Sequence, residues 1–176
     1  MRLMELGSAV YHQDQVRAAA MPYLQQLHWA TGLTSQPAVL DEGKVVYLLQ
    51  FGSRAGMPSR LLVGARPQAL HTVAGKALLA HTRCSPDAVH VDVPNRLRAE
   101  LAHIRERGVA FDREEFVQGI GSVAAPVIAS EDSSALAAVS VSGPIDEMQF
   151  ARLAPVVLQT AASVRRGAES APPARL

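Results

Sequence analysis

The chain has 176 residues, of which 48% are hydrophobic, 19% charged and 5% aromatic, and its formal net charge is +1. This length predicts one core-forming domain that needs no metal or disulfide to fold, and the composition excludes a disordered chain. The near-neutral charge argues against a nucleic-acid-binding surface in this chain. One cysteine, Cys84, leaves no internal disulfide. Without a signal peptide or a long apolar run, we expect a cytoplasmic protein with no membrane partner.

The first half of the chain predicts a helix, a hairpin and a second helix. Pro22 inside the first helix predicts a kink. Asp41-Glu42-Gly43 is typical of a short hairpin turn, and Thr72 is a good N-cap for the second helix. The predicted elements are a helix over 14–31, strands over 34–41 and 44–51, a short strand over 61–63, and a helix from about 72 to 80.

The second half predicts a helix ended by Gly108, three strands and a final helix. Pro155 predicts a bend or a break in that last helix, and the segment from Gly167 onward predicts a disordered tail. The charged segment 112–118 is interpreted as a solvated connection. The predicted elements are a helix over 97–107, strands over 109–111, 122–129 and 136–142, and a helix over 146–165. The hairpin links predict an α+β domain with a mainly antiparallel sheet and helices packed against it.

The sequence contains no complete nucleotide-binding or catalytic motif. Gly75-Lys76 lacks the upstream glycine and the following Ser or Thr of a phosphate loop, since Leu70 and Ala77 occupy those positions. Gly119-Ile120-Gly121 does not open a helix, as a dinucleotide fingerprint must. The histidines show no metal-ligand spacing, and no nucleophile is set beside a base. We therefore expect neither an enzyme nor a metal or other cofactor.

A binding site is a better interpretation of the remaining features. Strand alternation places Ser140 and Ser142 on one face of the last strand, and Ser122 is positioned to reach the same side. The helix that opens at Thr72-Val73-Ala74 would present free backbone N–H groups to a carboxylate. A small cavity of this kind suits an organic acid. The alternative, which the residues leave open, is that these hydroxyls bond neighbouring backbone in an ordinary core.

Five runs of the sequence form a combined pattern in a fixed order. The runs are AVLDEGKVVYL at 38–48, LHTVAGKALLA at 70–80, IRERGVAFDREE at 104–115, SVAAPV at 122–127 and AAVSVSGP at 137–144. Together they resemble the C-terminal domain of the isocitrate lyase regulator (IclR) family of transcription factors. The segment 2–8 also resembles the family's connection between its DNA-binding and effector domains.

The resemblance implies a GAF-like domain with a curved sheet whose cleft takes a small carboxylic or aromatic acid. Its domain limits would be a linker helix over 1–12, the effector-binding domain over 13–167 and a tail over 168–176, with no N-terminal winged helix-turn-helix. The family's functional positions correspond to nine residues here, and position 122 carries serine where cysteine is common. The implied effector-binding residues are His71, Thr72, Val73, Ala74, Asp112, Ile120, Ser122, Ser140 and Ser142.

The resemblance also implies a homodimer or homotetramer that contacts DNA only through the missing N-terminal domain. Ligand binding would then change the arrangement of subunits, which requires unequal affinity for two states. The alternative is an oligomerisation module whose cleft is filled by its own side chains. A small acid that stabilises the chain would distinguish the first hypothesis from the second.

Overall fold

A computed structural model describes the backbone of residues 2–52, 63–82, 93–129 and 134–170, and the side chains of these residues from Gln13 onward. The described part contains four α-helices and five β-strands, with short 3-10 turns at Ala69–His71 and Ile145–Glu147. In chain order the elements are α1 (Arg2–Thr31), β1 (Thr34–Asp41), β2 (Lys44–Tyr47), α2 (Val73–Ala80), α3 (Asn95–Arg107), β3 (Ala110–Arg113), β4 (Ile120–Ile128), β5 (Ala135–Pro144) and α4 (Phe150–Ser170).

The five strands form one sheet in the order β2-β1-β5-β4-β3, and every neighbouring pair is antiparallel. The hairpin between β1 and β2 turns at Glu42 and Gly43, whose φ angles are 46° and 75°. Two consecutive positive φ angles are typical of the turn that matches strand twist, and glycine adopts them without steric cost. The predicted hairpin is confirmed, although β2 ends at Tyr47 rather than at residue 51.

Helices cover both faces of the sheet. α1 and α4 pack together on one face, against Val123, Val139 and Val141. α2 packs on the other face against β4 and β5, with α3 beside it, and this layer buries the alanines Ala124 and Ala138. The alternation of β5 is therefore as predicted, because its valines enter one core and its alanine and serines face the other. The α+β, GAF-like architecture is confirmed.

The second predicted helix is found as α2, and its N-terminus is capped as expected. Thr72 has extended backbone angles, and its Oγ1 accepts a hydrogen bond from the Gly75 N–H at 3.0 Å. Gly75 packs directly on the preceding 3-10 turn, where an added Cβ would lie 2.2 Å from the carbonyl oxygen of Ala69. Glycine at this position lets the turn and the helix meet, which fixes the direction in which α2 begins.

Several boundaries differ from the predictions. α1 starts at Arg2 rather than at residue 14, and α4 starts at Phe150 rather than at residue 146; each helix runs through its proline, as its predicted range did. Both prolines are exposed, so the backbone carbonyls that they leave unbonded lie at the solvent side of each helix. α4 also extends to Ser170, so residues 168–170 are helical rather than part of a tail. Val63 lies in a turn, and the rest of the predicted strand at 61–63 falls outside the described residues.

Candidate functional site

A row of polar side chains crosses the sheet under the N-terminus of α2. Asp112 of β3 is paired with Ser122 of β4, and Ser122 is paired with Ser142 of β5. All three are at least nine-tenths buried. The two serine hydroxyl oxygens lie 2.9 Å apart and share a hydrogen bond. The row continues to Thr34 of β1, which is paired with Ser142 and is also buried, so four neighbouring strands each place a polar side chain on this face.

The N-terminus of α2 presents backbone donors beside this row. Thr72 N–H bonds the carbonyl of Ala69, while the N–H groups of Gly75 and Lys76 bond the side chain and the carbonyl of Thr72. The N–H groups of Val73 and Ala74 make no hydrogen bond within the described part of the chain. The first N–H groups of a helix have no partner inside the helix, and the helix dipole adds partial positive charge there. This end of α2 is suited to a carboxylate.

These elements enclose a cavity of about 10 Å³. That volume holds about one water molecule and is smaller than any organic acid. Ligand binding therefore requires the lining residues to move apart. The described residues that line the cavity are Tyr47, Thr72, Val73, Asp112, Phe116, Val117, Ile120, Ser122 and Ser142.

Six of the nine residues expected at the site line this cavity, and the other three lie elsewhere. His71 is exposed and lines a neighbouring groove. Ala74 is fully buried within α2 and contributes only its backbone to this end of the helix. Ser140 lies one step further along β5, where its hydroxyl donates to the carbonyl of Gln36 at 3.4 Å. Ser140 therefore bonds backbone, which is the role that the core interpretation gives it.

Three lining residues were missed by the sequence analysis. Tyr47 ends β2 opposite Ala38, and this pairing places its side chain on the face covered by α2. Its hydroxyl is hydrogen-bonded to the side chain of Thr72. Phe116 and Val117 belong to the charged segment that was interpreted as a solvated connection. Tyr47 lies in a predicted strand, but the continuous apolar run 45–49 does not show which face each side chain occupies. No periodic pattern marks the irregular loop that carries Phe116 and Val117.

Burial controls the protonation of the ionisable groups in the cavity. Burial raises the pKa of Asp112, and the charge of Glu115 adds to this, while the backbone N–H groups of Glu115 and Phe116 and the charge of Lys76 oppose it. Burial also raises the pKa of the Tyr47 hydroxyl, against the opposing bond from Thr72. Tyr47 therefore remains a neutral hydroxyl near pH 7, able to donate or accept a hydrogen bond.

A larger groove of about 320 Å³ lies next to the cavity, between the start of α2 and α3. The buried Lys76 ammonium lies within it and contacts Glu100 of α3 at 2.8 Å and Glu115 at 2.5 Å. Burial lowers the pKa of Lys76, but the bonds and charges of the two glutamates raise it by more, so the amine stays charged. The lysine of the Gly75-Lys76 pair thus binds carboxylates of its own chain, consistent with the rejection of a phosphate loop.

Among the described residues, no group of three or more His, Cys, Asp or Glu side chains is arranged to hold a metal ion. No described helix is long and apolar enough to cross a membrane. Cys84 lies outside the described residues. The chemistry that the cavity does offer is recognition: two helix N–H groups, a serine pair, a neutral phenol and one carboxyl group.

An antiparallel sheet with helices on both faces places this chain in the GAF-like α+β class, with a small polar cavity under the N-terminus of α2. The family model described as "Bacterial transcriptional regulator IclR C-terminal" matches residues 8–166. The chain therefore belongs to the IclR family of transcriptional regulators, and the segment present is the family's C-terminal effector-binding domain.

Individual relatives are consistent with this assignment. The HTH-type transcriptional regulator BhcR of Paracoccus denitrificans is 34% identical over 162 residues, which cover 84% of this chain and 57% of BhcR. The IclR structure from Thermotoga maritima matches with a TM-score of 0.77 and 25% identity, covering 94% of this chain and 73% of that one. An IclR homologue from Microbacterium hydrocarbonoxydans, complexed with 4-hydroxybenzoate, has a TM-score of 0.80 and 19% identity, covering 97% and 75%. The chain thus spans little more than half the length of BhcR.

Proposed function

We propose that this domain binds a small organic acid in the cavity under α2. The observation that carries the proposal is the meeting of two unbonded helix N–H groups, on Val73 and Ala74, with the buried row formed by Asp112, Ser122 and Ser142. The acid's carboxylate would lie at the helix N-terminus, where the dipole favours negative charge. Its other end would lie over the row.

The polar row favours an acid that also carries a hydroxyl group. A ligand hydroxyl can donate to Asp112 and exchange hydrogen bonds with the Ser122–Ser142 pair, whereas a plain hydrocarbon end would leave these buried groups without ligand contacts. The 4-hydroxybenzoate in the Microbacterium homologue, which shares this fold, is an acid of the same kind and supports the choice. Thr72 and Ile120 complete the proposed site. His71 and Ser140 lie outside the cavity, so they would contact the acid only after the site opens.

A thermal-shift series tests the proposal. We expect 4-hydroxybenzoate to stabilise the chain, by roughly 2.7 kcal/mol when its concentration is 100 times the dissociation constant. Ser142→Ala should weaken this stabilisation, while Ser163→Ala, which changes a partly exposed serine of α4 on the other face of the sheet, should leave it unchanged. Benzoate and 4-hydroxybenzamide separate the contributions of the hydroxyl and the carboxylate. Equal stabilisation of both serine variants would contradict the assigned site.

The small volume of the cavity favours one competing function. With room for about one water, the cleft already resembles one that is filled by its own side chains, as in an oligomerisation module that binds no ligand. The thermal-shift series distinguishes the two, because a filled cleft predicts no stabilisation by any acid. A ligand-bound structure with Phe116 and Val117 displaced would decide for the effector-binding domain.

In the whole regulator, we propose that the domain forms homodimers or homotetramers and passes the binding signal to an N-terminal DNA-binding domain. The exposed apolar side chains of α1 support association, since Trp29 is 71% exposed and Met21 44%. An effector controls such an assembly only if it binds two arrangements unequally. Sedimentation velocity with and without 4-hydroxybenzoate measures the oligomeric state, and a state that does not change at saturating acid would contradict the coupling. A cytoplasmic location and the absence of catalysis follow from the same role.

A further inference from the structure

The loop between β3 and β4, residues 114–119, separates the cavity from the neighbouring groove. Phe116 and Val117 line the cavity, whereas Glu115, between Glu114 and Phe116 in the same loop, lines the groove. On the other side of the same boundary, Thr72 and Val73 line the cavity while Lys76, one helical turn on, lines the groove. The two spaces therefore adjoin, and the loop is a part of their shared wall that lies outside the helices and strands.

The inner side of this loop is fastened by the ligand site itself. The Asp112 carboxylate accepts the N–H of Glu115 at 2.9 Å and a bond from the backbone of Phe116. The loop closes on itself through a bond from Gly119 N–H to the Glu114 carboxylate at 2.7 Å. Any movement of residues 114–119 therefore breaks bonds to the carboxyl group that lies under the proposed ligand.

Among the described residues, one ion pair holds the outer side of the loop, between Lys76 and Glu115. The side chain of Lys76 is 7% exposed and fixed in α2, so it cannot follow a moving loop. Its ammonium contacts Glu115, whose side chain is 51% exposed, and Glu100 of α3. Glu100 holds Lys76 to α3, and only Glu115 connects this cation to the loop. Both glutamates contact the same ammonium group, but Glu100 links it to α3 and Glu115 links it to the loop.

We propose that Lys76 and Glu115 form a latch that holds the loop 114–119 closed over the acid-binding cavity, and that the groove between α2 and α3 is the route by which the acid enters. This inference rests on the proposed function in treating the cavity as the ligand site. Release of Glu115 leaves the loop held by its bonds to Asp112 and its own turn bonds, so the loop opens more often. Opening lifts Phe116 and Val117 and joins the cavity to the groove. Lys76 then remains held by Glu100, at the mouth of the opened site. Lys76 acts as a positioning residue, through Glu115.

Amide hydrogen exchange of the free protein tests the latch without any ligand. We expect Glu115→Gln, which keeps the shape and removes the charge, to speed exchange of the amides in 114–120 roughly two- to fivefold, as for the loss of a partly exposed ion pair. The matched control Glu100→Gln removes the other contact of the same ammonium and should leave these amides unchanged. Glu115→Ala provides a second variant with the same expected result.

Two results would overturn the latch. One is unchanged exchange of the loop in both Glu115 variants, and the other is equal acceleration in the Glu100→Gln control, which would indicate loss of the ion cluster as a whole. A second readout is the exchange rate of 4-hydroxybenzoate, from NMR line shapes: Glu115→Gln should raise the association and dissociation rates together and leave Kd within about twofold. A change in dissociation rate alone contradicts the gate. If no acid binds but the loop responds as expected, the latch stands and the proposed function fails.

Discussion

At the scale of single residues, Asp112 is a carboxyl group buried in the core beside the proposed ligand site. It is 5% exposed, it lies beside a buried serine pair, and its oxygen atoms are used to fasten a loop. Burying a carboxylate costs free energy unless its charge is compensated, and here compensation comes mainly from two backbone N–H groups and the nearby Lys76 ammonium. Buried carboxyl groups with shifted pKa values are concentrated at binding sites, which is why we propose the recognition of a ligand hydroxyl there.

The raised pKa of Asp112 predicts how its contribution to stability varies with pH. Because the folded-state pKa lies above the unfolded value, the folded protein binds the proton more tightly, and burial of the ionised form costs free energy at pH 7. This cost disappears as the pH falls through the folded-state pKa toward the unfolded value. The unfolding free energy of the wild type, minus that of Asp112→Asn, should therefore be larger at pH 4 than at pH 7. Urea unfolding at both pH values measures this difference in unfolding free energy. A difference that is larger at pH 7 than at pH 4 would contradict a raised pKa of Asp112.

The residues of this site were predictable to different degrees. Ser122 and Ser142 follow from strand alternation, and Thr72 from its capping position, because periodicity and caps are local properties. Ser140 obeys the same alternation but bonds the carbonyl of Gln36 on the neighbouring strand β1, a partner that alternation alone does not identify. Phe116 could not be predicted, since its position depends on the bond from its loop to Asp112.

At the scale of elements, the approach of α2 to the sheet depends on Gly75. An added Cβ would lie 2.2 Å from the Ala69 carbonyl oxygen and 2.5 Å from its Cα, and both are backbone atoms that cannot rotate away. We expect Gly75→Ala to destabilise the fold by about 1–3 kcal/mol, as overpacking does, and to weaken acid binding because the donor end of α2 shifts. Gly167→Ala in α4 is the control, since the contact there is with the Tyr23 ring at 3.2 Å and the change should stay within about 1 kcal/mol. Chemical denaturation measures both, and equal values would contradict this role of Gly75.

The elements themselves were largely predictable, whereas some of their limits were not. β1, α2 and α3 match the sequence patterns closely, because a turn, a cap or a C-terminal glycine marks their ends; Gly108, for example, ends α3 with a φ of 71°. The prolines of α1 and α4 predicted kinks. Both helices run through these exposed positions, as their predicted ranges did, and the kinks stay a prediction. The starts of α1 and α4 were misplaced, because no cap or glycine marks them.

At the scale of the whole molecule, the two faces of the sheet pack against different cores, one hydrophobic and one that contains the polar row. The face covered by α1 and α4 is a hydrophobic core, built on branched residues such as Val139 and Val157. The face covered by α2 and α3 has smaller side chains, including Ala124 and Ala138, and it contains the polar row and the cavity. Small residues let α2 approach the sheet closely, so that its N-terminus lies over the polar row, while the opposite layer supplies the stability that permits a polar site in the other core.

This division suggests how binding in the cavity reaches the rest of a regulator. An acid held between α2 and the sheet contacts elements that are packed on both helical layers, since β4 and β5 touch α2 on one side and α4 on the other. The long helix α1 leads from this core toward the start of the chain. A ligand that binds the open and closed forms of the site with unequal affinity would therefore change the relative position of the sheet and the packed helices α1 and α4.

The most direct test of the central claim, that an acid's carboxylate binds at the N-terminus of α2, is an amide NMR titration with 4-hydroxybenzoate and, as a neutral match, 4-hydroxybenzamide. We expect saturable shifts that are largest at the Val73 and Ala74 amides, and much weaker effects from the amide compound, because the helix N-terminus recognises negative charge. Shifts centred away from α2, or equal binding of the charged and neutral compounds, would contradict the account.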